Sequence, residues 1–530
     1  MKKSQARHLI FFTASLLTFL SCHEKKPSPT KNAKADINLK RGALISCGPT
    51  DKQFGSIEFA TSCSEKVKPD FNLALALLHS FEYDEAEKAF VKIIDAEPEC
   101  AMAYWGVAMA NFHPLWAPPA EAELQKGAQA IEIALALKQK NKRETDYLQA
   151  IATFYTAWNK VDHRTRCINY EKAMEHLYAA YPTDNEAAVF YALALTAAAD
   201  VADKSFVKQK KAGAILNELY PGKPNHPGIV HYIIHTYDYP QLAEMGLPAA
   251  KKYAAIAPSS AHALHMPSHI FTRLGLWQDC INSNTLAAAS AKCYAENTGI
   301  KGHWDEELHA MDYLVYAYLQ KGENNFAKAQ CDYLKTIQKV EPANFKVAYA
   351  FASIPARYVL ENKNWKEAAA MQMHPVDFPW QKFPWQKAIV HFTRVLGLTN
   401  TGNTASARTE WQNLKTIYDT LVNQKDSYKA MQVQIQINAA EAWLLFKEGK
   451  KNEALTRMHA AADMEDKTEK HPVTPSSVVP ARELLGDMFL AMKEYGRALQ
   501  AYEASLQNTP NRFNALYGAA TAALKINNTE

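Results

Sequence analysis

Six of the 18 histidines in this sequence of 530 residues fall in two short stretches, HPGIVHYIIHTYD and AHALHMPSHIFTRLG. His231 and His235 are four residues apart, as are His265 and His269, so each pair lies on one face of a helix. Equivalent members of the two pairs are 34 residues apart, as expected for successive repeats of one helical unit. Two such pairs on adjacent helices can hold a metal ion between them, so the spacing predicts one shared metal site.

Four further side chains fall on the same helical stripe when the helices are aligned repeat by repeat. They are Asp238, His262, His309 and Asp312. Imidazoles accompanied by few carboxylates suit zinc, iron, copper or nickel better than calcium or magnesium. We therefore predict a transition-metal cofactor, such as zinc, iron or copper, with these four residues completing the coordination or orienting the imidazoles. An open coordination position would allow hydrolysis or oxygen chemistry, so a metal-dependent hydrolase or oxidase is one interpretation.

The other interpretation treats the same histidines as hydrogen-bonding groups in a ligand-binding groove. A single histidine on a helix is more often a packed or hydrogen-bonded residue than a metal ligand. A buried cluster of unpaired imidazoles, in contrast, costs desolvation free energy without an evident return unless the cluster has a function. The four histidines in register therefore favour a shared functional site, and the metal content of the purified protein separates the two interpretations.

The elements that position these residues are helical hairpins. The stretches FNLALALLHSFEYDEAEKAFVKIIDAEP and ELLGDMFLAMKEYGRALQAYEASLQNTP place small, large and proline residues at the spacing of a 34-residue unit. The residues in phase are Tyr83, Ala86, Phe90 and Pro98 in the first stretch and Leu485, Gly486, Tyr495, Ala498, Tyr502 and Pro510 in the second. On these residues the chain resembles the tetratricopeptide repeat superfamily. We predict an all-α fold, a superhelical solenoid of tetratricopeptide-type hairpins over residues 67–525.

The resemblance implies that the first helix of each hairpin faces a concave groove. This groove would hold a peptide, a protein or a small-molecule ligand, with the histidines on its wall. Glu483 and Asp487 fall on the equivalent stripe of the last full repeat, so they are candidate binding residues. Their alternative interpretation is an acidic pair on a solvated helix face.

The composition is that of a globular protein, with 48% hydrophobic and 22% charged residues. The formal net charge of +4 is too dilute to indicate nucleic-acid binding, and no basic stripe is interleaved with aromatic residues. The pattern therefore excludes nucleic acid as the expected partner.

The N-terminus has the organisation of an export signal. A basic start, MKKSQARH, precedes the apolar stretch LIFFTASLLTFLS, which is too short for a stable membrane-spanning helix. The sequence FLSC resembles a bacterial lipobox, so we expect a signal peptide at 1–21 and lipidation of Cys22, with an ordinary secretory signal as the alternative. Residues 22–66 then form a tether and an irregular segment. The expected location is the bacterial cell envelope, anchored to the membrane by lipid, with the leaflet left open.

Removing Cys22 from the eight cysteines leaves seven, so they cannot all pair within one chain. Cys63 and Cys100 flank the first predicted hairpin and form the candidate disulfide, because export permits disulfides. The stretches LHSFEYDEAEKAF, CAMAYWGVAMANFHPLW and HALHMPSHIFTRLGLW further resemble a group of large exported bacterial tetratricopeptide proteins. This narrower resemblance implies fold and export but no reaction, so whether the protein is an enzyme stays open.

Overall fold

The computed structural model describes residues 37–48, 53–115, 118–200 and 203–527, and it confirms the predicted all-α class. The helices of the first half are α1 Lys68–His79, α2 Tyr83–Ala96, α3 Ala101–Ala110, α4 Glu121–Ala136, α5 Lys142–Tyr155, α6 His163–Ala180, α7 Asn185–Ala197, α8 Val207–Leu219, α9 Pro227–Tyr237, α10 Ala243–Ile256, α11 Ala261–His265, α12 Pro267–Leu274 and α13 Trp277–Thr298. Those of the second half are α14 Asp305–Gln320, α15 Asn324–Thr336, α16 Phe345–Glu361, α17 Trp365–Ala369, α18 Pro384–Asn400, α19 Thr404–Asn423, α20 Ser427–Lys447, α21 Lys451–Asp466, α22 Ala481–Met492, α23 Tyr495–Asn508 and α24 Phe513–Lys525.

Extended structure is confined, within these ranges, to one parallel pair of two-residue strands. They are β1 His303–Trp304 and β2 Val340–Glu341. None of the described helices is both long and apolar enough to cross a bilayer. The predicted signal peptide and Cys22 lie outside the described residues.

Successive helices pack against one another along the chain, as a solenoid requires. Helix α9 begins at Pro227 and α11 begins at Ala261, so the helix starts are 34 residues apart, as the repeat predicts. Local chemistry defines these starts. The side chain of His226 accepts a hydrogen bond from the Ile229 amide, and Ser260 Oγ accepts one from the Ala263 amide.

Helices α11 and α12 form one interrupted helix, separated only by Met266. Proline at position 267 has no amide hydrogen, and it occupies the first turn of α12, where that loss costs least. Gly275 then ends α12 in the left-handed conformation, with φ of 66°. The interruption leaves both halves on the same face of the hairpin, so residues before and after it belong to one stripe.

Two large hydrophobic cores fill the solenoid and meet at α14. Tyr313 and Tyr316 on one side of α14 belong to the core of the first half, whereas Met311 and Val315 belong to the core of the second half. Because α14 is covered on both sides, almost all of its residues are buried, including His309. This helix brings its polar residues to the boundary between the two halves.

The superhelix curves back on itself at both ends. Helix α1 packs against α9, although seven α-helices separate them in sequence order. The amide of Phe513, at the start of α24, donates a hydrogen bond to Gln320 Oε1 of α14. The segment before α1 crosses the first half and is held by a disulfide between Cys47 and Cys293. The helices are therefore wrapped by chain segments distant in sequence.

Cys63 and Cys100 also form a disulfide, with their sulfur atoms 2.03 Å apart. Cys167, Cys280 and Cys331 are buried free thiols. The pairing of Cys47 with Cys293 spans 246 residues, and no local spacing in the sequence indicates it.

Candidate metal centre

Six buried histidines lie together where α9, α11, α12 and α14 meet. They form two groups of three, and within each group the nearest ring nitrogens lie within 4.8 Å of one another. The first group is His231, His235 and His262, and the second is His265, His269 and His309. Each group could hold one ion with three imidazole ligands and an open position. The four histidines of the repeat pattern are thus distributed over two adjacent groups rather than around one centre.

The hydrogen bonds of the second group determine which ring nitrogens are available. His265 Nδ1 lies 2.6 Å from Asn284 Oδ1, and the amide nitrogen of Asn284 is used by the carbonyl of Cys280. The oxygen therefore accepts, and His265 Nδ1 carries the proton. His269 Nδ1 likewise donates to Asp238 Oδ2 at 3.0 Å. In the neutral rings both Nε2 atoms are consequently unprotonated, and they face each other at 3.1 Å.

In the first group, a hydrogen bond determines the tautomer of one histidine ring. His231 Nδ1 donates to the carbonyl of His79 at 2.6 Å, so its Nε2 is unprotonated in the neutral form. This Nε2 lies 2.9 Å from His235 Nε2. The His231–His235 contact is therefore either an N–H···N hydrogen bond or a pair of ligand atoms.

The two groups are in contact across the helices. The ring centroids of His235 and His269 are 6.2 Å apart, and those of His262 and His265 are 6.5 Å apart. The ring of His309, from α14, lies 4.2 Å from that of His265. Three helices thus supply one continuous cluster, as the repeat alignment predicts.

Asp238 orients a histidine and is itself held in place by two cations. Its Oδ1 accepts from Arg273 Nε at 2.8 Å, and its Oδ2 lies 3.3 Å from Lys470 Nζ. Burial alone would raise the pKa of Asp238, but Lys470, Arg273 and His269 together hold it below its usual value. Asp238 therefore stays ionised and fixes the His269 tautomer.

The structure places Asp312 elsewhere, although the sequence assigned it to the metal ligands. Its carboxylate forms a buried ion pair with Arg357 and accepts from Ser353 Oγ at 2.8 Å. Arg357 comes from α16, one hairpin further along the solenoid, and no repeat alignment shows that it reaches this position. Asp312 is thus committed to an internal charge pair.

Of Glu483 and Asp487, the predicted binding pair, Glu483 serves the interior, whereas Asp487 is only partly buried. Glu483 is 2% exposed and pairs with Arg512, whose Nε lies 2.9 Å from Glu483 Oε2. Asp487 accepts from Tyr502 at 2.7 Å and from Lys363 at 3.2 Å. Neither residue lies near the histidine cluster or lines its cavity.

Burial favours the neutral form of five of the clustered histidines. Desolvation lowers the pKa of His231, His235, His265 and His309 well below the ordinary value, and neighbouring imidazoles lower it further. Desolvation also lowers the pKa of His269, despite the opposing effect of Asp238. Neutral imidazole is the form that binds a metal.

A third polar group, His79 with Glu186 and His226, escaped the sequence analysis. Glu186 lies 2.9 Å from His79 Nε2 and 2.6 Å from His226 Nε2, and all three residues are buried. His226 Nδ1 accepts the Ile229 amide, so its Nε2 carries the proton that Glu186 accepts. This hydrogen bond is incompatible with metal binding at the same nitrogen. Gly228 leaves room for the His79 ring, because a Cβ at position 228 would lie 2.4 Å from His79 Nδ1.

A cavity of about 1000 Å³ borders the cluster. His262, His269 and His309 line it, and so does Glu82, whose pKa burial raises to about 7. The sequence predicted that the histidines lie on an open groove, but His231 and His265 are at most 1% exposed. The connection between α21 and α22, residues 467–480, lies across the stripe, with Lys470 on Asp238 and His471 on the cavity wall.

No family model matches this sequence, and the comparison with curated proteins found no match. Among solved structures, the TPR domain of P58(IPK) overlaps with a TM-score of 0.21 and 12% identity, covering 88% of this chain and 99% of that one. Naa15/Naa10 bound to HypK overlaps with a TM-score of 0.26 and 15% identity, covering 88% and 81%. At these TM-scores the overlaps do not establish a common fold or function. The assignment to an all-α solenoid rests on the helices and contacts of this chain.

Proposed function

We propose that this protein is an exported, lipid-anchored protein of the bacterial cell envelope whose histidine cluster binds transition-metal ions. The observation that carries the metal assignment is the contact between His265 Nε2 and His269 Nε2. Two nitrogens that each lie ~2.0–2.1 Å from one ion, at an angle of about 100°, are ~3.1 Å apart. The observed separation is 3.1 Å.

Without an ion or a proton between them, these two lone pairs repel. A proton would make one ring an imidazolium, and the lowered pKa values of His265 and His269 oppose that. Tyr313 offers little relief, because its hydroxyl lies 3.5 Å from His269 Nε2, which is long for a hydrogen bond. A metal ion is the occupant that best satisfies both nitrogens.

The ligand set favours a particular class of metal. All six candidate ligands are imidazoles, which suit zinc, copper, iron or nickel. Carboxylates take part only indirectly, through Asp238 on His269. Two groups of three support a stoichiometry of two ions per chain.

Elemental analysis tests this proposal. Protein purified without an affinity tag is incubated with zinc, copper, iron or nickel, desalted and analysed. We expect up to two ions per chain, and a loss of at least one in the His265→Ala, His269→Ala double variant. The matched control is His176→Ala with His459→Ala, which also removes two imidazoles, both outside the cluster. Wild-type protein that retains no metal would leave the histidines as hydrogen-bonding groups only.

The anchor is tested separately. The apolar segment that ends in FLSC motivates the proposal of lipidation at Cys22. In the bacterial host, the wild-type protein should incorporate radiolabelled palmitate and sediment with membranes, whereas Cys22→Ala should do neither. Label that persists in the Cys22→Ala variant places the lipid elsewhere.

A metal-dependent enzyme is the second candidate, and the cavity beside the ligands favours it. Because His262, His269 and His309 line a space of about 1000 Å³, an open coordination position there can meet a substrate. Cobalt-substituted protein provides the test. A change in its visible spectrum on addition of azide is expected if a position is open, and an unchanged spectrum favours a closed site without catalysis.

A further inference from the structure

The lining of the cavity carries an excess of negative charge. Three lysines line it, and each already pairs with an acid: Lys88 with Glu85 at 2.6 Å, Lys429 with Asp426 at 2.5 Å, and Lys346 with two carboxylates. The carboxyl side chains that line it are Glu82, Asp84, Glu123, Asp305, Glu306 and Glu341. Six carboxyl groups against three ammonium groups leave a formal charge of −3, so the cavity is better suited to a cation than to an anion.

Five of these six carboxyl groups have a basic partner. Asp84 pairs with Lys40, and Glu341 lies 2.9 Å from Lys339. Glu123 lies 3.3 Å from His113 Nε2. Asp305 and Glu306 share Lys346, which completes the five.

Glu82 is different. Its Oε1 accepts from Ser260 Oγ at 2.6 Å, and the carboxylate also accepts from the His262 amide. No lysine or arginine of the described ranges forms an ion pair with it. Glu82 is partly buried, and a carboxylate held there without a countercharge costs free energy that a cationic ligand would recover. Glu82 is therefore the position in the cavity where a positive charge is missing.

Aromatic rings line the same cavity as Glu82. Phe81 and Tyr83, the neighbours of Glu82 in sequence, stack with their centroids 5.2 Å apart and line the cavity. Tyr294 and Trp304, 4.2 Å apart, line both this cavity and the smaller one that also includes Glu82. Ring faces attract organic cations, and an ammonium group between rings and a carboxylate is a recurrent mode of recognition.

We infer that the cavity binds a small organic cation, with its ammonium group between Glu82 and these aromatic rings. The volume of about 1000 Å³ admits a drug-sized molecule. The remainder of the ligand extends toward His262, His269 and His309 on the same wall. The inference goes beyond the metal proposal and does not depend on it, since the contacts at Glu82 require no ion.

Isothermal titration of the full chain tests it at pH 8. The probe is benzyltrimethylammonium, which is permanently charged and has no lone pair for a metal, and benzoate is the anionic counterpart with the same ring. We expect benzyltrimethylammonium to bind at least tenfold more tightly than benzoate. Glu82→Gln should raise its Kd at least tenfold, whereas Glu123→Gln, a cavity carboxyl with a histidine partner, should change it less than twofold.

Two controls keep the outcome decisive. Circular dichroism shows whether Glu82→Gln folds, and if it does not, Tyr83→Leu serves as the second variant and should weaken binding severalfold. Titration after treatment with EDTA should give the same Kd, so a failed metal proposal leaves this result intact. Absence of benzyltrimethylammonium binding, preference for benzoate, or an unchanged Kd in both variants would overturn the inference.

Discussion

Asp238 shows how one carboxylate can control a metal ligand without binding the metal. It accepts the hydrogen bond from Nδ1–H of His269, so it determines that Nε2 is the ring nitrogen without a proton. Asp312 was expected on the same stripe, but its charge is neutralised by Arg357. Two aspartates that look equivalent in the sequence therefore have separable roles.

We predict opposite consequences for Asp238→Asn and Asp312→Asn. The first should lower metal affinity by about 10–100-fold, because a neutral amide holds and polarises His269 less well. The second should leave metal affinity within about twofold but lower the free energy of unfolding by about 3–5 kcal/mol, because Arg357 stays buried and unpaired. Metal titration and urea denaturation of both variants check this, and a metal affinity that falls equally in both would contradict the assignment.

At the residue scale, spacing located the histidines but not their partners. The intervals of 4 and 34 residues place four imidazoles on adjacent helices, which the structure brings together. Asn284, Arg273 and Lys470 fix the rings or their carboxylate, yet they come from other positions along the solenoid and have no shared spacing. Only three-dimensional packing identifies such contacts.

The connection between α21 and α22 is the element that joins the second half of the chain to the candidate metal centre. Lys470 contacts Asp238, from which it is separated by 232 residues in the sequence. Burial lowers the pKa of Lys470 to about 8, although the Asp238 carboxylate acts to raise it. Lys204 and Glu469 form a further ion pair, at 2.5 Å, that holds the same connection. Its position therefore influences the orientation of His269.

Lys470→Met should lower metal affinity severalfold, because Asp238 loses one of its two cationic partners while Arg273 remains. Its melting temperature should change little, since the methionine retains most of the apolar stem. Lys467→Met, an exposed lysine in the same connection, is the control and should have no effect on metal binding. Equal metal affinities for both variants and the wild type would show that the connection between α21 and α22 does not influence metal binding.

The repeat phase assigned to the C-terminal hairpin leads to a stability prediction. Leu485 in α22 is 1% exposed and packs in the core of the second half. Leu485→Asp should lower the free energy of unfolding of this repeat by on the order of 3–5 kcal/mol, because it buries an unpaired charge. Ala491→Asp, on the exposed side of the same helix, is the matched control. A melting temperature unaffected by Leu485→Asp would mean that the repeat phase is wrong.

At the element scale, the hairpins were predictable and their junctions were not. Small and large residues at the repeat spacing predict α22 and α23, and Gly486 is needed because a Cβ there would lie 2.7 Å from the Tyr502 ring. The groove-facing role of Glu483 failed because Arg512, from the start of α24, folds back onto it. Helical periodicity gives a residue's side of the helix, but not what covers that side.

The whole molecule is more closed than an open solenoid. The Cys47–Cys293 disulfide ties the N-terminal segment to α13, and Trp277 Nε1 donates to the carbonyl of Asn511 at 2.8 Å, which ties the C-terminal hairpin to the middle of the chain. The sequence predicted repeats along one axis, but closure depends on the summed rotation between hairpins. That rotation arises from small packing differences that no single motif encodes.

Closure has a consequence for the pH dependence of stability, because it buries many histidines in neutral form. Those whose pKa is lowered, chiefly by desolvation, are His79, His163, His231, His235, His265, His269, His309, His391, His459 and His471. In the unfolded chain each histidine takes up a proton near pH 6.5. Burial also raises the pKa of Glu82, Glu465 and Glu483 to about 7, and these groups act in the opposite direction.

The numbers of protons bound by the folded and unfolded states determine whether stability rises or falls with pH. Below about pH 6.5 the unfolded state binds a proton at each of these ten histidines and the folded state binds fewer, whereas the three glutamates take up protons in the folded state. The unfolded state therefore binds more protons overall, so stability should be fully present above about pH 6.5 and be lost as the pH falls toward 5. Each fully buried histidine contributes up to ~1.4 kcal/mol per pH unit in that window.

Urea denaturation of the metal-free protein at pH 8, 7, 6 and 5 measures this dependence. We expect the free energy of unfolding to be nearly constant between pH 8 and 7 and to fall by several kcal/mol by pH 5, and the His309→Gln variant should show a shallower fall because it has one fewer buried imidazole. Metal should raise the free energy of unfolding at pH 5 as well as at pH 7, because the buried imidazoles stay neutral in the folded state and remain available as ligands. A stability that is constant from pH 8 to 5 would mean that the folded state takes up as many protons as the unfolded state. Burial would then not keep the clustered imidazoles neutral, and a proton rather than a metal ion could lie between His265 and His269.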